Sequence, residues 1–547
     1  MTIVKKHLIL LGIIILGLVL RLIFINKPDG LWNDEYISWM IASTPFADGF
    51  VQAVKSQCHM PFYYLYLKFF MTLFGSSDLL LRLTSVAAGV LSIIAMYFVG
   101  LEKDEKTAYT CAGFTAISSF LIYYSQEVRF YSVLFLFSAM CLLYTMRCIN
   151  YPHKKNFILC SLYNFLILFT HTIGFVFVFF NLIFLSLNLY NRFKKVIITV
   201  WISLFTCGIL LTPLVLKVLT TKSFSQWWGH FSLSKIGFLF TDYFSPVLTN
   251  LTNAPDNFLY APKLTFCMIA PALTAIGFII LALKKNKFNR ELFTVAALTV
   301  LVLIIAALSG KLVFITKYSI EIYPILIYLA CYGVTEADNK VLRNFLIGFY
   351  CLLSLGYLTF NQYSAPKIRR AEGHKIVTDM LKRMELKKDD IILLEYYPQN
   401  RFEKYFDFSN YKVVAIDKGN FPLYLSNHTY EDAYKNGKEL YKNMFLQKDN
   451  KHFEDMLKKD ITDNLKIGQS VIMVVLNSVS YHSPNSLNTV AGNESAYSKE
   501  PILFLVFSYI KNKTFYEMLK NLSISRVEQK GNWTVIKFTK LNNHGDN

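Results

Sequence analysis

The sequence predicts a polytopic α-helical membrane protein with a C-terminal soluble α/β domain. Hydrophobic residues make up 54% and aromatic residues 16% of the 547 positions, a composition typical of chains with many apolar spans. The charge is unevenly distributed: the last 187 residues carry 28 Lys and Arg and 22 Asp and Glu, whereas the first 360 carry 28 and 15. We therefore predict a membrane domain over 1–360 and a soluble domain over 361–547.

Apolar runs of roughly 17–25 residues predict about eleven transmembrane helices. They fall near 8–25, 79–100, 108–124, 130–148, 157–171, 173–190, 196–219, 264–283, 292–309, 319–335 and 343–360. The break between 157–171 and 173–190 is brief and is marked by His171 and Gly174. The first run follows basic residues and has no small-residue cleavage motif, so we expect it to be retained as a span.

The net charge of +19 does not indicate a nucleic-acid partner. Much of the basic excess of the membrane part lies in short loops at alternate ends of the apolar runs, for example Lys5-Lys6, Lys154-Lys155 and Lys194-Lys195. This is the positive-inside pattern of multi-pass inner or plasma membrane proteins. With a cytoplasmic N-terminus and an odd number of spans, the soluble domain is predicted to be extracytoplasmic, and 26–78 is the first outer loop.

The conspicuous polar residues of the membrane part are all predicted to lie on its outer side. Asp34 and Glu35 directly follow the first span, and acidic side chains near hydrocarbon are costly and are usually retained for chemistry or ion handling. The Tyr-rich run 62–71 is too short to span and resembles an interfacial segment that would wall a substrate cavity. The other outer polar residues are His59, Gln126, Glu127, Arg129, His171 and Lys317.

An ordered set of motifs on this predicted face resembles one family. The motifs are Asp34-Glu35, His59-x-Pro61-x-Tyr63-Tyr64, Leu80-Leu81-Arg82-Leu83-Thr84-Ser85, Ser125-Gln126-Glu127-x-Arg129-x-Tyr131, Thr170-His171 with Gly174, and Lys317-Tyr318 with Pro324. They resemble, over roughly residues 8–360, the GT-C membrane glycosyltransferases of the protein mannosyltransferase and aminoarabinose transferase type (family 39-like). Lys317 replaces the usual Arg, and the soluble domain matches no motif.

The resemblance implies transfer of a sugar from a polyprenyl-phosphate donor to an acceptor on the outer face, with inversion. A hydroxyl is a poor nucleophile, so a carboxylate base is expected, and Asp34 is the candidate. A leaving phosphate needs fixed cations. Arg129 and Lys317, with Tyr318, are the candidates. Glu35 and Glu127 join the catalytic group, and the predicted cavity residues are His59, Tyr63, Gln126, Tyr131 and His171.

No cofactor is demanded by the sequence, because no DxD motif is present, although a divalent metal is compatible with the carboxylates. The expected partners are membrane lipid, the polyprenyl-phosphate sugar and a protein, lipid or glycan acceptor. Structural alternatives stay open for the individual residues. Asp34 is also a good helix N-cap, Glu127 and Arg129 could form a structural ion pair, and Lys317 could extend to the headgroups.

Two other classes of protein compete with a transferase. A transporter or lipid-linked glycan flippase would also carry buried charges, although here they gather at one face rather than the midplane. A membrane-anchored binding protein would not need so many spans with charged residues. The soluble domain contains strand-like runs at 390–397, 412–416 and 470–476 and an alternating segment at 524–539. Helical patterns near 371–386, 430–444 and 451–459 predict a small mixed sheet with helices.

Overall fold

The computed structural model describes residues 3–26, 30–47, 50–51, 60–220, 234–245, 262–309, 314–353, 374–395, 402, 404–416, 465–476, 522–530 and 533–540. The chain divides into two compact units. The helical unit comprises Met1–Asn26 and Asp34–Ser364, and the sheet unit comprises Lys27–Asn33 and Ala365–Asn547. The sheet unit thus takes a short segment between the first two helices in addition to the C-terminal part of the chain.

The helical unit is built from consecutive helices. In chain order they are α1 Ile3–Leu22, α2 Asn33–Ser43, α3 Phe62–Phe74, α4 Asp78–Leu101, α5 Glu105–Ile117, α6 Ser119–Ser125, α7 Tyr131–Asn150, α8 Lys154–Thr170, α9 Gly174–Thr220, α10 Ser234–Phe244, α11 Pro262–Lys285, α12 Lys287–Leu308, a 3₁₀ helix Thr316–Ile322, α13 Tyr323–Glu336 and α14 over 340–353. Every predicted apolar run is mostly helical in the described residues.

Five helical segments among the described residues are long and apolar enough to cross a membrane. They are Asp78–Leu101, Tyr131–Asn150, Gly174–Ile209, Lys287–Leu308 and Thr316–Glu336. The prediction of a multi-pass α-helical membrane protein is therefore confirmed. The two spans predicted near 173–219 occur as the single helix α9, which is interrupted at Phe193, where the backbone leaves helical geometry.

Short polar residues determine where several helices begin. The side chain of Ser77 caps α4 by accepting a hydrogen bond from the amide of Leu80, and Asp104 caps α5 through the amide of Thr107. Ser118 ends α5 and caps α6, so the single span predicted at 108–124 is in fact two helices. Hydroxyl and carboxylate oxygens satisfy the free amides of a first turn. This break places the end of α6 and the non-helical residues 126–130 ahead of α7.

Close helix packing in the helical unit depends on small residues. A Cβ at Gly100 in α4 would overlap the backbone of Ala108 in α5, and a Cβ at Gly333 in α13 would overlap the carbonyl of Phe278 in α11. Small residues let helix backbones approach closely, which is how membrane helices gain van der Waals contact. α4, α5, α7 and α13 form the buried centre of the helical unit.

The sheet unit is a five-stranded mixed sheet with the order β2-β1-β3-β5-β4. The strands are β1 Ile391–Glu395, β2 Lys412–Ile416, β3 Ser470–Leu476, β4 Ser523–Lys530 and β5 Trp533–Thr539. β1 pairs in parallel with β2 and β3, whereas β5 pairs antiparallel with β3 and β4. The predicted α/β domain is confirmed. The helices predicted at 430–444 and 451–459 lie outside the described residues.

One amphipathic helix, α15 His374–Arg383, covers a face of this sheet. Its apolar residues Ile376, Val377, Met380 and Leu381 pack with sheet residues that include Ile392. The segment before α2 joins this unit. The amide of Leu31 donates to the hydroxyl of Tyr405 at 2.9 Å, and the Leu31 carbonyl accepts from His374 Nδ1 at 3.2 Å. Both backbone polar groups of Leu31 are thereby satisfied.

Candidate functional site

Asp34 lies in the first turn of α2 and contacts Arg129. Because α2 begins at Asn33, Asp34 lies inside the helix, where its charge still favours the positive N-terminal end. Its side chain is 27% exposed, and its Oδ2 lies 3.8 Å from Nη2 of Arg129. Nη1 of Arg129 also lies 3.4 Å from both the Asp34 carbonyl oxygen and Ser38 Oγ. Asp34 is thus a loosely paired and accessible carboxylate.

Glu35, the next residue, has a different environment. Arg82 Nε and Nη2 in α4 donate to its two carboxylate oxygens at 2.9 and 2.7 Å, and both side chains are fully buried. The amide of Val128 donates to Glu35 Oε1 at 3.1 Å, and Arg82 Nη1 donates to the carbonyl of Ile25 at 3.3 Å. A two-pronged, charge-assisted pair of this kind fixes geometry as well as contributing energy. It joins α2, α4 and the 126–130 turn.

The turn at 126–130 is held from both sides. The side-chain amide of Gln126 donates to the carbonyls of Arg21 and Ile23 at 3.0 and 2.8 Å. Ser85 Oγ donates to the carbonyl of Glu127 at 2.6 Å. The side chain of Glu127 is buried. Among the described residues, Arg129 forms its ion pair with Asp34 and not with Glu127. The turn therefore presents Arg129 to Asp34 from a fixed backbone.

Arg129 is a buried cation with capacity for a further acceptor. Only 6% of the residue is exposed, and its Nε has no hydrogen-bond partner among the described residues. Burial is the largest single effect and lowers the pKa of Arg129, but Asp34 and the neighbouring tyrosines together raise it by more, so the pKa lies above its ordinary value. The guanidinium lies 5.3 Å from the ring centre of Phe130 and 6.0 Å from that of Tyr131. It is charged at every working pH.

A second cation, Lys317, lies near the same tyrosine. Its Nζ is 5.6 Å from the ring centre of Tyr131 and 5.6 Å from that of Tyr318. Arg129, whose guanidinium lies 6.0 Å from the Tyr131 ring centre, therefore shares this ring with Lys317. The hydroxyl of Tyr131 is buried and has no hydrogen-bond partner in the described part of the chain. Two cations, one carboxylate and a phenol thus converge here.

His171 and Glu321 form a buried pair next to these residues. Nδ1 of His171 lies 2.9 Å from Oε1 of Glu321, and Glu321 is fully buried. The His171 ring lies 4.8 Å from the ring of Phe130 and 6.1 Å from that of Tyr318. His171 ends α8, so the brief break noticed in the sequence is where this side chain enters the bundle.

Solved structures share this architecture, although no family model and no curated protein matches the sequence. The chain is similar to ArnT from Cupriavidus metallidurans bound to undecaprenyl phosphate, with a TM-score of 0.50 over 96% of this chain and 97% of that chain, at 11% identity. The apo state of the same protein gives the same values. The chain has the fold of ArnT. The predicted GT-C-like fold, a helical membrane part followed by a C-terminal domain, is thereby confirmed.

A weaker similarity links the chain to the oligosaccharyltransferase of Archaeoglobus fulgidus in complex with zinc and sulfate. That match has a TM-score of 0.44 and 13% identity, and covers 85% of this chain and 67% of that chain. In the part of this chain that the structure describes, no group of three or more His, Cys, Asp or Glu residues could hold a metal ion.

On the ArnT-like fold, most of the predicted site residues come together. Arg129 contacts Asp34 and shares the Tyr131 ring with Lys317, and the rings of Phe130 and Tyr318 connect this group to His171. Tyr63 lies buried in α3, with its ring centre 6.4 Å from that of Phe130. Glu35 accepts hydrogen bonds from Arg82. Gln126 donates to the backbone carbonyls of Arg21 and Ile23. His59 lies outside the described residues.

Two buried arginines, Arg82 and Arg21, have structural roles that the sequence did not predict. Arg82 lies in the motif Leu80–Ser85 and Arg21 lies within the first apolar run, and the motif resemblance predicts a role for neither. Both are fully buried. Arg21 donates to the carbonyls of Thr115 and Ala116 at 3.0 Å and to Ser125 Oγ at 3.2 Å. The available signal was an arginine inside an otherwise apolar run, which is costly unless the guanidinium is paired.

Proposed function

We propose that the protein transfers a sugar from a polyprenyl-phosphate donor to an acceptor hydroxyl at the extracytoplasmic face of the membrane, with inversion. The observation that carries the proposal is an accessible carboxylate, Asp34, paired with Arg129 in a multi-pass helical unit. A second cation, Lys317, shares the Tyr131 ring with Arg129. The fold is shared with a protein whose structure contains undecaprenyl phosphate. In this proposal Arg129 and Lys317 neutralise the lipid phosphate, and Asp34 accepts the proton of the incoming hydroxyl.

Asp34 acts as the general base in this proposal. The acceptor oxygen forms a bond to the anomeric carbon as its proton moves to the Asp34 carboxylate. The bond between that carbon and the phosphate oxygen breaks, and the phosphate leaves with the electron pair. A positioned base contributes about 10²–10⁴-fold to such a step. Partial exposure supports this role, because a base must reach a substrate that enters from outside.

Arg129 and Lys317 hold the donor phosphate and neutralise the charge that develops on the leaving group. Arg129 Nε, which has no partner among the described residues, offers a directed donor, and Lys317 adds a point charge, because an ammonium lacks the planar fork of a guanidinium. Tyr318 lies beside Lys317 and completes the phosphate site. Fixed cations in a dry site stabilise developing charge more strongly than they would in water.

The remaining predicted residues take supporting roles. Glu35 is a positioning residue here, since Arg82 occupies both of its oxygens. Gln126 fixes the turn that carries Arg129, and buried Glu127 contributes its carbonyl to the same turn. Tyr131, His171, Tyr63 and His59 are proposed to wall the substrate cavity. No step in this mechanism requires a metal.

Release of polyprenyl phosphate tests the proposal. Purified protein in lipid nanodiscs is supplied with a panel of labelled polyprenyl-phosphate sugars and a detergent extract of cell envelopes as acceptor. Wild type is expected to turn over at least one donor, and Asp34→Asn to lose at least ~10²-fold in kcat, because Asn keeps the shape but cannot accept the proton. Asp78→Asn is the matched control, since Asp78 also lies in the first turn of a helix.

Two results would count against this function. Normal turnover by Asp34→Asn would show that Asp34 is structural and that the base lies elsewhere. If wild type releases no polyprenyl phosphate from any donor but moves a labelled lipid-linked sugar between leaflets, the flippase alternative replaces the transferase.

A further inference from the structure

Glu321 has no task in the chemistry above, and its partner His171 is assigned only to the wall of the cavity. Glu321 lies in the 3₁₀ helix, one turn after Lys317, and none of its surface is exposed. His171 Nδ1 satisfies one of its oxygens, at 2.9 Å from Oε1. The other oxygen, Oε2, is buried and has no hydrogen-bond partner in the described residues. The carboxylate therefore retains one acceptor position that the described protein does not use.

A buried acceptor without a hydrogen-bond partner destabilises the folded protein. A buried polar group without a partner costs about 1–3 kcal/mol, and a charged one costs more. Such groups are rare in folded proteins and need a specific explanation. A ligand that donates a hydrogen bond to Oε2 would remove the cost when it binds. The same applies to the Tyr131 hydroxyl and to Arg129 Nε, two further polar atoms of this region that have no hydrogen-bond partner among the described residues.

These unpartnered atoms belong to one continuous set of contacts. The Tyr131 ring contacts both cations, with its centre 6.0 Å from Arg129 Cζ and 5.6 Å from Lys317 Nζ. Tyr318 lies beside Lys317 and its ring is 6.1 Å from that of His171. His171 then holds Glu321. A ligand whose phosphate binds the cations would place the group attached to that phosphate close to Glu321.

We infer that Glu321, oriented by His171, is the sugar-recognition residue of the donor site: its Oε2 accepts a hydrogen bond from a hydroxyl or amine on the donor sugar ring. The inference rests on the proposed function and adds to it the element that distinguishes one sugar from another. The aromatic rings of Phe130 and Tyr318 flank the pair and offer apolar faces to the C–H groups of a sugar. Mostly apolar walls with a few placed polar groups are typical of sites that orient a small ligand.

The sugar explains this chemistry better than the prenyl tail or the acceptor. A prenyl chain has no hydrogen-bond donor for Oε2. The acceptor hydroxyl has to meet Asp34, which pairs with Arg129, whereas Glu321 pairs with His171. A ring hydroxyl or amine is the remaining donor group on the substrate. A site built to bind such a group discriminates strongly against an analogue that lacks it, because the protein atom then stays buried and unpaired.

Deoxy and amino donors test the inference. The probe is the polyprenyl-phosphate sugar that wild type transfers fastest, together with its series of single-position deoxy analogues and its amino analogue. Wild type is expected to lose at least ~10²-fold in kcat/KM on one deoxy donor of the series. Glu321→Gln is expected to lose a similar factor on the full sugar but little further on that deoxy donor, so that the discrimination falls below about tenfold.

The amino donor distinguishes the two groups that could donate the hydrogen bond to Glu321, a hydroxyl and an amine. If the ligand group is an amine, wild type prefers the amino donor and Glu321→Gln abolishes the preference, because the charge-assisted bond is lost. If it is a hydroxyl, the amino donor has no advantage. Glu291→Gln is the matched control, because Glu291 is an acidic residue of α12 whose ion-pair partner is the largely exposed Lys287, and it should leave the discrimination unchanged.

The failure of this inference is distinguishable from the failure of the proposed function. If wild type transfers no sugar, the transferase itself is wrong. If wild type transfers sugar and Glu321→Gln lowers every donor by the same factor, the pair is structural and the inference is overturned. Should Glu321→Gln not fold, His171→Gln provides the second variant. It leaves the carboxylate in place but loosened, so it is expected to reduce the discrimination by about tenfold while transfer of the deoxy donor is retained. Unaltered discrimination in His171→Gln would overturn the inference.

Discussion

Asp34 and Glu35 are adjacent carboxylates of the same helix, yet they occupy opposite extremes of environment. Asp34 is 27% exposed and lies 3.8 Å from its cation. Glu35 is fully buried, with both oxygens 2.7–2.9 Å from Arg82. The first pair leaves the carboxylate accessible to a substrate, whereas the second leaves no oxygen unused. The difference separates a group available for chemistry from a group that holds the site together.

The energetics of the two pairs follow from this geometry. A partly exposed ion pair contributes about 0–1 kcal/mol, since water solvates the separated charges. A buried pair adds little net stability over an apolar replacement, but removing one partner costs about 3–5 kcal/mol because a bare charge remains inside. The two carboxylates should therefore respond in opposite ways to the loss of charge, one in activity and the other in stability.

The largest expected effect is on folding, from Glu35→Gln. This change leaves the Arg82 guanidinium buried without its counter-charge, so about 3–5 kcal/mol of stability should be lost, seen as a lower thermal midpoint and poorer recovery of monodisperse protein. Asp34→Asn in the same detergent should shift the midpoint far less. Equal shifts for the two variants would contradict the distinction between the carboxylates.

Arg129 provides the next test, because it serves Asp34 and, in the proposed function, the phosphate. Arg129→Gln should reduce kcat for polyprenyl phosphate release by about 10²–10³-fold, the cost of losing one oriented donor in such a site. Arg129→Lys keeps the charge but not the planar fork, so its loss should be smaller. If Arg129→Gln reduces only the thermal midpoint and leaves kcat intact, the arginine is structural and resembles Arg82.

Gln126 sharpens the comparison by testing the turn without touching either carboxylate. Gln126→Ala removes two hydrogen bonds to the carbonyls of Arg21 and Ile23, each worth about 0.5–1.5 kcal/mol. We expect a modest fall in the thermal midpoint and about a tenfold fall in kcat, with the donor KM nearly unchanged. A rise in KM alone would place Gln126 in contact with the donor instead.

The smallest expected effect is from Ser38→Ala. The hydroxyl of Ser38 donates to the Asp34 carbonyl at 2.9 Å within the same helix and lies 3.4 Å from Arg129 Nη1. A contact at 3.4 Å is at the weak end of hydrogen bonding, so kcat should stay within about threefold of wild type. A loss comparable with that of Arg129→Gln would show that Ser38, not Asp34, orients the guanidinium.

Much of the fold could be predicted from the sequence because its signals are local. An apolar run long enough to cross a bilayer stands out without knowledge of its neighbours, and the strands of the sheet unit are similarly apparent at 391–395 and 470–476. The break in 108–124 was missed, because it depends on Ser118 serving two helices at once. The change in backbone direction there is decided by packing around Ser118 and not by local composition.

The site was predictable in its residue types and less so in their roles. Asp34, Arg129 and Lys317 were selected from the sequence and lie together. Arg82 and Arg21 were left without roles because their partners are distant in the chain: Arg82 meets Glu35 47 positions away and Arg21 meets Ser125 104 positions away. Burial of a charge can be suspected from an apolar run, but its partner cannot be identified from that run.

The sequence by itself determined the fold class, an α-helical membrane protein with a C-terminal α/β domain, and the presence of two acidic residues just after the first apolar run. Only the tertiary structure decided which of the two is accessible. Successive residues of an α-helix point about 100° apart, so the two carboxylates face different neighbours: Glu35 faces Arg82 and Asp34 faces Arg129. Which carboxylate faces which arginine depends on how α2 is rotated against α4 and the 126–130 turn. That rotation is set by packing between segments distant in sequence. The pairing of His171 with Glu321 could not be predicted for the same reason. The two residues lie 150 positions apart and meet only in the folded bundle.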